Sequence, residues 1–135
     1  MTEKSYHKLS IKQKVSFILP PVSWAIIIFA ISAIPSGRIP PLTILSSDKL
    51  IHMTVYAILG ILAFRAFNGT GSRIQAPWII CLFCVLYGFG DEFHQMFVPG
   101  RNPSIFDVAA DAIGAIIGII LWWKRKILTG NFFSK

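Results

Sequence analysis

Residues 91–111 place four of the chain's six carboxylates, Asp91, Glu92, Asp107 and Asp111, inside stretches otherwise apolar enough to cross a bilayer. A fifth, Asp48, opens the preceding apolar run, and only Glu3 lies elsewhere. A charge within a membrane span costs roughly 2.5–3.5 kcal/mol on insertion scales, so it is rarely idle. The chain must therefore fold so that its helices turn these acids toward one another and away from lipid. Charged residues make up only 14% of the chain, against about 25% in soluble domains, which argues against a soluble fold. The net charge of +7 comes from basic residues gathered at the ends of apolar runs. That placement suits membrane orientation and not a groove for nucleic acid.

Four apolar runs follow in order. Val15–Ile34 is 20 residues without a charge, the length a span needs at 1.5 Å per residue. Pro20-Pro21 near its start predicts that regular helix begins at Pro21. The same proline pair and the polar segment before it argue against a cleaved signal peptide, for which Ala30-Ile31-Ser32 offers a small-x-small site. Ser46-Ser47-Asp48 reads as a helix N-cap opening a second span over Lys49–Phe67, closed by Asn68-Gly69. A third span runs from Pro77 to Phe97, before Pro99-Gly100. The fourth starts at Ser104 and continues to Trp123, where Trp122-Trp123-Lys124-Arg125-Lys126 forms an interfacial anchor. Cys81 and Cys84 lie within the third run, where a small packing role fits better than a redox pair.

Of the 13 Lys and Arg, only Arg38, Lys49 and Arg101 fall in the first and third loops. The other ten lie in the N-terminal segment, the second loop and the C-terminus, which predicts that both termini are cytoplasmic and that the acids lie outside. The expected fold is an all-α four-helix transmembrane bundle. Its parts are a basic cytoplasmic segment (1–14), the four-span domain (15–123) and a basic cytoplasmic tail (124–135).

Helical phase then places the polar residues. Asp107, Asp111, Gly114 and Gly118 fall within roughly 60° of one another on the fourth helix. The glycines admit a close neighbour, so the acids on the same stripe face the bundle interior. On the third helix Tyr87, Asp91, His94 and Gln95 share an arc of about 100°, with Glu92 offset. On the second, Asp48, His52, Tyr56 and Gly60 form a drifting polar stripe. The expectation is one outward-facing recess containing His52, Asp91, Glu92, Arg101, Asp107 and Asp111, with Arg101 at its mouth.

These residues resemble the VanZ-like family of small bacterial membrane proteins. The resemblance covers about residues 35–120 and rests on Asp48-Lys49-x-x-His52-x-x-x-Tyr56-x-x-x-Gly60, then Asp91-Glu92-x-x-Gln95-x-Phe97-x-Pro99-Gly100-Arg101, then Ser104-x-x-Asp107 and Gly114-x-x-x-Gly118. Where the family commonly carries Asn before the first glycine of the last helix, this chain has Asp111. The resemblance implies a bacterial cell-membrane protein with a cell-envelope role, in a family named for an association with resistance to teicoplanin, a lipid-tailed glycopeptide.

Several activities fit this pattern. Asp91, Glu92, Asp107 and His52 are the candidate catalytic groups, since paired carboxylates beside an imidazole can act as general acid and base. Arg101, Gln95, Asp48, Lys49, Tyr56, Ser104 and Asp111 complete a candidate ligand-binding set. The same oxygens and imidazole suit a divalent cation acting on a lipid-linked phosphate. A polar site for a lipid-linked or envelope ligand is the leading reading, with membrane lipids, a lipid-linked envelope precursor or a lipoglycopeptide as partners and catalysis left open; a non-enzymatic binder or shield and a small proton-coupled carrier are further alternatives. A buried structural network would also use these residues, but five acids exceed what a packing staple requires.

Overall fold

The computed structural model describes residues 9–38, 45–70 and 77–128, and within these the chain is helical apart from its turns and connections. Four helices follow in order: α1 (Ile11–Ser32), α2 (Leu45–Gly69), α3 (Pro77–Gln95) and α4 (Ile105–Leu128), with one 3₁₀ turn at Ser36–Arg38. Ile39, Arg73, the side chains of Ser46 and Ser47, and both chain ends lie outside the described set.

Helix α1 begins ten residues earlier than the proline pair predicts. Ser10 is its N-cap: the Ser10 hydroxyl accepts from the Gln13 backbone N–H, and the Gln13 side chain accepts from the Ser10 backbone N–H. This capping box satisfies two end donors at once and fixes the start. Pro20 and Pro21 therefore sit inside α1 and not in its first turn. Helix α2 likewise starts before the expected cap, so Asp48 lies in its first turn, where a carboxylate still meets the positive end of the helix dipole. Ser104 caps α4 as expected, its Oγ accepting from the Phe106 N–H at 3.2 Å.

Contacts define the arrangement. Lys49 meets Asp107 near the starts of α2 and α4, and Lys126 meets Asn68 near their ends, so these helices run parallel. Ser32 bonds Asp91, and the Tyr87 hydroxyl donates to Ala25 O at 2.6 Å, which makes α1 and α3 parallel. Helices α3 and α4 are antiparallel, since Glu92 holds Ser104 while Gly88 lies against Asp111. The bundle alternates in direction, and Ile11 and Leu128 lie at the same end.

Helices α2 and α4 form the closest seam. A Cβ added to Gly114 would strike the Met53 carbonyl, one on Gly118 the Ala57 carbonyl, and one on Gly60 the Ala115 carbonyl. Each obstacle is backbone, so a larger residue must force the helices apart. The Gly114/Gly118 pair thus packs the chain internally. Tyr56, Leu59, Phe64, Ile80, Cys84 and Ile119 fill the centre. Leu82, Phe83, Leu86, Ile113, Ile116 and Ile120 project outward from α3 and α4, an apolar girdle of the kind lipid solvates.

Helices α1, α2 from Asp48 onward, and α4 are long and apolar enough to cross a membrane. Helix α3, at 19 residues, ends in Asp91, Glu92, His94 and Gln95, which lower its hydropathy. Those polar residues are largely enclosed by the other helices: Asp91, Glu92 and Gln95 are all buried.

Candidate functional site

Every described carboxylate lies at one end of the bundle, in the first turns of α2 and α4 or the last turns of α3. Between α2 and α4, the Lys49 ammonium pairs with Asp107 Oδ1. One turn deeper, His52 Nδ1 lies 2.9 Å from Asp111 Oδ1. The i, i+4 spacing of Asp107 and Asp111 matches the i, i+3 spacing of Lys49 and His52, so the two pairs stack along the seam.

A second network joins α1 to α3. The Ser32 hydroxyl donates to Asp91 Oδ1 at 2.6 Å, and Gln95 Nε2 donates to Ser32 Oγ at 3.1 Å and Asp91 Oδ2 at 3.3 Å. All three side chains are buried. Ser32 was not among the candidates. Its signal in the sequence was a hydroxyl near the end of an apolar run, at the depth where Asp91 sits on α3.

One expected catalytic group, Glu92, and one expected ligand-binding group, Arg101, have backbone partners. Glu92 Oε2 accepts from the Ser104 N–H at 2.7 Å, holding the connection where it enters α4. Arg101 donates through Nε to Ile34 O at 3.1 Å and through a terminal nitrogen to Ile31 O at 3.2 Å. Its positive charge thereby meets the negative end of the α1 dipole. Gly100, at φ 76°, supplies the left-handed backbone that turns the chain before Arg101.

A recess of about 200 Å³ opens among these groups. Asp48, His52, Tyr56, Asp91, Gln95 and Arg101 contribute polar groups to its lining, and Ile28, Ile31, Ile51 and Val55 apolar ones. Of the residues expected to converge, His52, Asp91 and Arg101 line this recess. Glu92, Asp107 and Asp111 are instead engaged in the packed contacts beside it. His94 packs its ring on Phe29, centroids 4.3 Å apart.

Several buried polar atoms at this end have no hydrogen-bond partner among the described residues: Tyr56 Oη, Glu92 Oε1, His94 Nδ1 and Asp111 Oδ2. A buried polar group without a partner is costly, and of these four residues Tyr56 lines the recess. Ligand atoms of Asp48, His52 and Asp107 all lie within 4.8 Å of one another, a spacing compatible with one cation. Lys49 already brings a positive charge to Asp107 there.

The chain matches the family model described as VanZ/LLP1 over residues 3–129. It is also 31% identical over 127 residues to a Schizosaccharomyces pombe protein named Uncharacterized protein C11E3.10, an alignment covering 91% of this chain and 73% of that protein. A fungal relative widens the expectation of a purely bacterial group. No solved structure matches the chain. The match spans all four helices and both polar networks, and the chain belongs to the VanZ/LLP1 family.

Proposed function

We propose that the chain is a multi-pass membrane protein, with four spans and both termini cytoplasmic, whose outward recess binds an amphipathic molecule of the cell envelope. The observation that carries this reading is the mixed lining of the recess: Asp48, His52, Asp91, Gln95 and Arg101 together with the aliphatic side chains of Ile28, Ile31, Ile51 and Val55. Such a site offers acceptors and donors to a polar headgroup and a greasy wall to the chain attached to it. A lipid-linked envelope precursor in a bacterial cell membrane is the ligand class we favour. Binding a lipoglycopeptide such as teicoplanin, and so altering sensitivity to it, is the corresponding resistance role. Buried charge that costs free energy in a membrane supports a working site over a packing device.

The second reading is catalysis at a lipid-linked phosphate, favoured by the grouping of Asp48, His52 and Asp107. These three would hold a divalent cation, which would polarise a phosphoryl oxygen. Proton-coupled transport has less support, because the described acids occupy one end of the bundle and form no path through it.

The test uses the purified chain in detergent with a polyprenyl-pyrophosphate-linked sugar as probe. Retention of the probe without conversion supports the binding reading. Conversion that requires added divalent cation supports the enzymatic one. Neither retention nor conversion contradicts both.

A further inference from the structure

The end of the bundle opposite the acids carries a second recess, of about 410 Å³, between α1, α2 and α4. Arg65 and Asn68 of α2, Trp122, Arg125 and Lys126 of α4, and Phe17 of α1 line it. The Arg65 guanidinium lies over the Phe17 ring, 5.2 Å from its centroid, and Arg125 lies over Trp122 at 5.1 Å. Lys126 Nζ donates to Asn68 Oδ1 at 3.4 Å. Two separate helices thus bring three cations into one concave site flanked by aromatic rings.

We infer that this recess binds the phosphodiester headgroup of an anionic phospholipid in the leaflet at the basic end, which positive-inside orientation makes the cytoplasmic one. For Arg65, stacking on the Phe17 ring engages the guanidinium plane, whereas a phosphate is held through the N–H edge, so both interactions can coexist. Depth supports a lipid over a soluble anion. Arg65 lies inside the apolar span Asp48–Gly69, one turn from its end, and Trp122 belongs to the aromatic pair that marks the membrane interface. Topological anchoring alone explains the Lys124-Arg125-Lys126 run on α4. It does not require Arg65, on another helix, to share a recess with it. The site is independent of the polar recess at the far end.

Native mass spectrometry of the full chain from mixed micelles tests the assignment, comparing phosphatidylglycerol with phosphatidylcholine. Wild-type protein is expected to retain phosphatidylglycerol preferentially. Arg65→Gln and Arg125→Gln should each weaken that retention about tenfold, the loss of one charged hydrogen bond to the phosphate. Lys124→Gln, exposed and outside the recess, should change it little, and excess inorganic phosphate should not displace the lipid. If Arg65→Gln is not monodisperse, Arg125→Gln on the exposed last turns of α4 carries the comparison. Equal retention of both lipids, displacement by free phosphate, or an equal loss in Lys124→Gln would each overturn the assignment.

Discussion

His52 and Asp111 meet across the seam of α2 and α4, Nδ1 to Oδ1 at 2.9 Å, with the Asp111 side chain wholly buried. Asp111 stands where the resembling family commonly carries Asn, and either side chain offers His52 an oxygen. Asp111→Asn is therefore expected to fold normally, within about 1 kcal/mol of wild type, because the hydrogen bond survives in neutral form. Asp111→Leu strands the imidazole in the seam and should lower the midpoint of thermal unfolding in detergent well below that of Asp111→Asn. Equal midpoints would show that the contact contributes nothing to assembly.

Gly114→Leu and Gly118→Leu should sharply reduce folded protein. Both side chains would be driven into backbone of α2, at Met53 and Ala57, where no rotamer change gives relief. Overpacking of this kind costs about 1–3 kcal/mol or more. Membrane abundance and monodispersity after extraction measure it. Normal abundance of both variants would contradict the packed seam.

Arg101→Ala should loosen the end of α1, since the guanidinium bridges the Ile31 and Ile34 carbonyls. The expected cost is about 1 kcal/mol, visible as faster hydrogen exchange at residues 31–34. Arg101→Lys should recover part of that protection by keeping the charge while losing the fork. Unchanged exchange in Arg101→Ala would leave the residue free for ligand alone.

Much of this arrangement was legible as helical phase. The stripe of Asp107, Asp111, Gly114 and Gly118 turns toward α2 because glycines and acids repeat at helical spacing, and α2 meets it at the Gly60 and His52 face. Less legible were contacts with backbone. Glu92 reads as a catalytic group and Arg101 as a ligand-binding one, yet their partners are the Ser104 N–H and the α1 carbonyls. Every residue carries such groups, so no pattern marks which ones a charge will find. Boundaries failed for a related reason: Pro20-Pro21 is a strong local signal, but the Ser10–Gln13 capping box outside the apolar run set the start of α1. Ser32 stayed hidden because a single hydroxyl in an apolar run acquires meaning only when Asp91 is brought beside it.

Topology is open to direct labelling. With Cys81 and Cys84 replaced by alanine, a cysteine at Asn102 should react with an impermeant thiol reagent from outside intact cells. A cysteine at Lys126 should react only after permeabilisation. The reverse pattern would invert the orientation inferred from the basic residues.

Asp91→Asn tests the central claim most directly. Asp91 lines the recess and is held by Ser32 and Gln95, and Asn keeps its size and an acceptor while removing its charge. The measurement is equilibrium binding of a polyprenyl-pyrophosphate-linked sugar to wild-type and variant protein, each matched for monodisperse, membrane-extracted material. A working recess gives an Asp91→Asn protein of normal abundance whose affinity falls about tenfold or more, the loss of one charged hydrogen bond to the ligand. Full affinity at normal abundance in both Asp91→Asn and Asp48→Asn would mean that the polar end is scaffold and that the ligand, if there is one, binds elsewhere.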